Sequence, residues 1–89
     1  MTNLALKTNI LASVRQDVRG IQPPQLCQIM TEIRSLSETP FPSGCRKLGG
    51  ARGSYRLRAG DYRILYEVDT ETRTVTVYRI RHRKDVYQK

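Results

Sequence analysis

Eighty-nine residues suffice for one domain, 1–89, around a single core. Sixteen Lys and Arg against eight Asp and Glu leave a formal charge of +8, and 38% hydrophobic residues with four prolines and six glycines describe a folded chain rather than a disordered tail. No apolar run nears the ~20 residues of a bilayer span, and Met1-Thr2-Asn3-Leu4 lacks the charged-then-apolar order of a signal peptide, so a soluble, cytoplasmic protein is expected.

In chain order, Leu4-Ala5-Leu6 has the make-up of a short edge strand. Thr8 or Asn9 then caps a helix in which Ile10, Leu11, Val14 and Val18 recur at three- and four-residue steps, ending near Gly20. Pro23-Pro24 breaks the chain and opens a second helix, because a first turn tolerates proline. Leu26, Ile29, Met30, Ile33 and Leu36 give that helix one apolar stripe, and the two helices are expected to form a hairpin. Pro40, Pro42 and Gly44 mark an irregular connection. Of the two cysteines, Cys27 is expected buried on the helix and Cys45 loose in the connection. Two are too few for a disulfide scaffold, and no Cys/His cluster has metal-binding spacing, so neither metal nor other cofactor is implied.

After Gly53 the apolar period changes from 3.6 to 2. Tyr55 and Leu57 alternate with Arg56 and Arg58, Ala59-Gly60-Asp61 turns, and Tyr62, Ile64, Tyr66 and Val68 form the next alternating run. A turn over Asp69–Arg73 leads to a third, β-branched strand, Thr74–Ile80. The expected fold is α+β: a two-helix hairpin covering a small antiparallel sheet, a three-stranded meander that gains a fourth edge strand if Leu4-Ala5-Leu6 joins it.

The charge is unevenly placed. Residues 1–45 carry four basic and three acidic residues, residues 46–89 twelve and five, and arginine outnumbers lysine twelve to four. Arginine's planar fork suits bidentate contact with phosphate, so a polyanion, nucleic acid first, is the expected partner. Keeping the apolar residues of the first hairpin on one face suggests Leu57 opposite Tyr62 and Tyr55 opposite Ile64. That register sets Arg56 against Arg63 and Arg58 against Asp61. Like charges facing across strands destabilise a sheet, so the arginines read as an exposed phosphate cradle on rigid strands; the alternative is an ordinary surface neutralised by Asp61 and Glu67. The tail adds Arg79, Arg81, His82, Arg83, Lys84, Asp85, Val86 and Tyr87. Arg52, Arg79, Arg81 and Lys84 are candidate RNA contacts. Tyr87 could stack on a base or simply dock the C-terminal segment.

The stretch Gly53-Ser54-Tyr55-Arg56-Leu57-Arg58-Ala59-Gly60-Asp61-Tyr62-Arg63-Ile64-Leu65-Tyr66-Glu67-Val68, followed by Ile80-Arg81-His82-Arg83-Lys84-Asp85-Val86-Tyr87, resembles the RelE/ParE toxin superfamily. The resemblance covers about the last forty residues. It implies a toxin of a bacterial or archaeal toxin–antitoxin pair, held by a cognate antitoxin, whose RelE-type members cut mRNA in the ribosomal A site without metal. There the 2′-hydroxyl attacks the adjacent phosphate and leaves a 2′,3′-cyclic phosphate. By motif, Arg56 and Arg58 match two basic strand positions, and Arg63 the arginine that stabilises the phosphorane. Arg83 matches the arginine proposed as general acid, and Tyr87 the substrate-orienting tyrosine.

Two departures stand out. RelE-type toxins often carry lysine where this chain has Arg56 and Arg58, and arginine cannot give up its proton as a base must. His82, with Asp85 behind it, is then the candidate base by residue type, unless ribosomal groups or positioning alone suffice. Arg81 stands where many relatives have glycine. The resemblance therefore leaves two further functions open: a ParE-type inhibitor of DNA gyrase with no nuclease chemistry, or a degenerate nucleic-acid-binding homologue.

Overall fold

The computed structural model describes residues 5–48 and 53–86. Arg52 and Tyr87, both singled out above, and Leu4 of the proposed edge strand lie outside the described residues.

Among the described residues eight elements follow in order: β1 (Lys7–Ile10), α1 (Ala12–Asp17), α2 (Pro23–Ser35), β2 (Arg46–Lys47), β3 (Ser54–Ala59), β4 (Tyr62–Asp69), β5 (Thr74–His82) and the single turn α3 (Arg83–Val86). The α+β class and the β3–β4–β5 meander are as expected. The sheet is wider and mixed: five strands in the order β1-β5-β4-β3-β2, with β1 parallel to β5 and the other pairs antiparallel.

The N-terminal expectation shifts along the chain. Lys7–Ile10, read as the start of a helix, is the edge strand, and the helix is the shorter Ala12–Asp17. All four strand residues are exposed, so no alternation marked them. Their conformation is set by long-range pairing, Lys7 with Thr74 through Ile10 with Val77, a case of tertiary context deciding a weak local preference. Beyond Ile10, α1 takes over the edge of β5. Ser13 Oγ donates to the Tyr78 carbonyl at 3.0 Å, and the Ile80 N–H donates to Asp17 Oδ2 at 2.9 Å. These bonds satisfy backbone groups that an open edge would leave bare.

α2 forms where the sequence placed it, with proline in its first turn. Ile29, Ile33 and the capping Leu36 are fully buried, while Leu26 and Met30 flank them half-buried. The helix lies across β3 and β4 and closes the core over Ile64, Tyr66, Val75 and Val77. Cys27 is exposed and Cys45 is half-buried against the core, the reverse of expectation: Cys27 falls off the apolar stripe, and the chain after Gly44 returns as β2 to the sheet edge. Among the described residues no helix is long and apolar enough to cross a membrane.

The first hairpin turns one residue later than expected, around a loop of the same length. Ala59 pairs with Tyr62, Arg58 with Arg63 and Leu57 with Ile64, leaving Gly60-Asp61 as the two-residue loop. Gly60 has φ +63°. A two-residue loop with glycine first is the arrangement that matches strand twist, whereas the expected loop would have put Ala59 at the left-handed position.

Candidate functional site

Strand alternation sends Leu57, Ala59, Tyr62, Ile64, Tyr66, Val75, Val77 and Ile80 toward the core. The intervening residues face the open side. There, register lines up Arg58, Arg63 and Arg81 directly across β3, β4 and β5. The next row holds Arg46, Arg56, Leu65 and Arg79 across β2 to β5. Opposed like charges cost each pair a few tenths of a kcal/mol or more, so this arrangement is not one that folding alone favours.

The central arginine is the least accommodated. Arg63 is 5% exposed, and its Nε and Nη1 are buried with no hydrogen-bond partner among the described residues. It was expected to be an exposed charge; it is buried instead on the central strand, with Arg58 and Arg81 opposite it on the strands to either side. A buried donor left unsatisfied costs roughly 1–3 kcal/mol, more when charged, so the fold holds this guanidinium at a loss that an entering anion would relieve. Arg63 lines an open cleft of about 340 Å³ together with Arg58, Gly60, Asp61, Arg83 and Lys84. Arg83 is brought there at the start of α3, whose first N–H donates to the Asp61 carbonyl at 2.7 Å. The Arg83 Nε stands 3.9 Å from Asp61 Oδ1, and both side chains are more than half exposed. At that distance and exposure the pair is loose.

The other sequence candidates divide. Arg56 is half-buried one row away, opposite Arg46. Arg46 is itself an exposed cation the sequence reading missed; the Arg46-Lys47 pair after Gly44 was its signal, hidden because a two-residue strand has no readable period. Arg79 is tied down, its Nη1 donating to Asp17 Oδ1 at 3.2 Å. His82 does not join the arginine row. It pairs with Tyr62 in register, so it points to the other side of β5 from Arg81. Its ring meets Tyr62 edge-to-face at 5.1 Å, and its Nδ1 accepts the Lys84 N–H at 3.2 Å. Among the described residues no group of His, Cys, Asp and Glu could hold a metal ion.

The described residues thus form a small α+β domain with a ladder of arginines across one sheet face, its central member buried with two nitrogens unpartnered among them. Comparison with known proteins then fixes the family. Residues 8–87 match the profile described as the ParE toxin of type II toxin–antitoxin systems. Toxin RelG of Mycobacterium tuberculosis is 32% identical over 79 residues, spanning 86% of this chain and 90% of that protein. The archaeal RelE–RelB complex from Pyrococcus horikoshii superposes with a TM-score of 0.81 at 21% identity, covering 89% of this chain and 96% of that one. The RelBE2 toxin–antitoxin complex of Mycobacterium tuberculosis gives 0.76 at 26% identity, covering 88% and 98%. The chain belongs to the RelE/ParE superfamily of type II toxins.

Proposed function

We propose that this toxin is a metal-independent endoribonuclease that cleaves mRNA in the ribosomal A site, and that a cognate antitoxin restrains it. The observation that carries the reading is the Arg63 guanidinium, two of whose nitrogens are buried without partners among the described residues, in a cleft it lines together with Arg58, Arg83 and Lys84. A phosphodiester seated there exchanges water for fixed cationic donors. Those donors act most strongly on the phosphorane, where charge on the phosphate oxygens is greatest. The 2′-oxygen forms the new bond to phosphorus and the 5′-oxygen leaves, giving a 2′,3′-cyclic phosphate and a 5′-hydroxyl. Arg56, one row away, holds the strand by charge. Arg83 cannot surrender a proton readily, since a guanidinium stays protonated above pH 12 or so; it stabilises the leaving oxygen by hydrogen bonding, and water supplies the proton.

The 2′-hydroxyl proton needs an acceptor. The cationic side chains of the cleft only donate, and His82 lies on the other side of β5. Among the described residues Asp61 is the carboxylate that lines the cleft, and we assign it the base role. Asp61→Asn is expected to slow single-turnover cleavage of ribosome-bound mRNA about 10²-fold or more while leaving binding intact. An unchanged rate hands the proton to a ribosomal group.

The antitoxin partner is supported by the structural neighbours, solved as toxin–antitoxin complexes, and by the basic face itself. The match to a ParE profile favours one rival, inhibition of DNA gyrase. A cell-free translation reaction with primer extension across the mRNA, run beside a supercoiling assay, separates the two. New 5′ ends at A-site codons support cleavage; intact mRNA with lost supercoiling supports the rival.

A further inference from the structure

A second cleft, about 520 Å³, opens on the far side of β5. Arg19, Tyr62, Arg79, Arg81, His82 and Lys84 line it, and Lys84 lines the Arg63 cleft as well. Arg81 continues the row that contains Arg63. The two depressions are thus joined by cations rather than separated by a neutral ridge. The carboxylate in the second cleft, Asp17, is already engaged by the Ile80 N–H and the Arg79 guanidinium. Arg19, just beyond α1, is exposed. The Tyr62–His82 edge-to-face pair adds an aromatic wall held rigid by the strand pairing.

Cations that track a backbone beside an aromatic surface form the recurring composition of a single-strand nucleotide subsite. We infer that the second cleft holds a nucleotide of the same RNA whose phosphate sits at Arg63, with the strand crossing at Lys84. The neighbouring base stacks against His82 and Tyr62, and Arg19 meets its phosphate. This rests on the RNA reading given above and adds a path and a length to it. An acidic protein segment would be drawn to the same charges, but the aromatic wall and the shared lysine favour a strand that occupies both clefts.

The test uses 2′-O-methyl oligoribonucleotides, which lack the attacking hydroxyl and so report binding alone. Fluorescence anisotropy is measured with probes of about three and about ten nucleotides, one below and one within the span of about 4–16 nucleotides of a small binding module. The wild type is expected to prefer the long probe. His82→Ala and Arg19→Gln are each expected to weaken long-probe binding by about tenfold, the loss of one stacked base or one phosphate contact, and so to shrink the long-to-short ratio. Arg19→Gln also lowers the log–log salt slope by about 0.7. An unchanged ratio in both variants overturns the second subsite and leaves A-site cleavage standing. If the variants instead weaken only the capture of an acidic peptide, the cleft belongs to a protein contact and the inference is overturned. A wild type that binds neither probe also overturns the subsite, while the RNA reading itself stands or falls separately on the appearance of new 5′ ends in the cell-free translation reaction.

Discussion

The two ends of the open sheet face treat their polar groups in opposite ways. Near the β4–β5 turn, Glu67, Asp69, Glu71, Thr72, Thr74 and Thr76 line a depression of about 380 Å³. Asp69 Oδ1 accepts from the N–H groups of Glu71 and Thr72 at 3.0 and 3.2 Å, and Thr72 and Thr74 bond each other. This is a turn closing on itself. At the other end, beyond the Tyr78 hydroxyl that bonds Ser54 Oγ at 2.7 Å, like charges face one another and two nitrogens of Arg63 have no partner among the described residues. Groups that satisfy one another stabilise the fold. Donors held together without acceptors destabilise it, and their persistence points to a ligand.

The sharpest way to break that contrast is Arg63→Met. Removing a buried charge with two nitrogens unpartnered among the described residues, and keeping the aliphatic volume, is expected to stabilise the domain by roughly 1–3 kcal/mol. On a chain this size that raises the thermal midpoint by several degrees, at about 4–8 °C per kcal/mol. Toxicity and mRNA cleavage are expected to fall by about 10²–10³-fold, as when a transition-state donor is lost. A gain in stability with a loss of function marks a functional group. A loss of both would make Arg63 structural and end the cradle argument.

How far the sequence carried this site depends on which interactions decide each part. The faces of β3, β4 and β5 were legible because alternation has period two: a register shifted by two residues keeps Leu57, Tyr62 and Ile64 on one side. The same symmetry hid the true pairing, and only the left-handed demand at Gly60 separates the registers. Arg58 against Arg63 was therefore missed, along with the extension of the row to Arg81. β1 and β2 were illegible for a different reason. Both are short, exposed edges whose conformation comes from partners far along the chain. The side of β5 taken by His82 followed from alternation as well, but a bulge between Leu65 and Tyr66 admits an extra residue in β5, and the count must include it.

A buried polar group that does have a partner should behave oppositely to Arg63. Tyr66 is fully buried, and its hydroxyl donates to the Pro40 carbonyl at 2.8 Å. Tyr66→Phe is expected to cost about 1 kcal/mol, the net worth of such a bond. Burial, with Cys45 and Tyr55 adding smaller contributions, pushes the Tyr66 pKa well above the ordinary tyrosine value of 10.0. The folded state thus keeps its proton where the unfolded chain loses it. The associated stability is full below about pH 10 and is lost progressively as pH rises from there toward the folded-state value. Urea titrations from about pH 8 to 11 are expected to show an alkaline decline that Tyr66→Phe makes shallower.

The smallest effect belongs at the self-satisfied end. Asp69→Ala removes the acceptor of two turn N–H groups, but those groups are exposed and water replaces the carboxylate. A loss of about 0.5–1 kcal/mol is expected, with cleavage unchanged because no residue of the Arg63 cleft is touched. The same substitution makes the protein one charge more basic, so a modest strengthening of non-specific RNA binding at low salt, vanishing at high salt, is also expected. A large drop in cleavage from this variant would mean that the acidic end takes part in function. The division of the face into a structural half and a ligand-binding half would then fail.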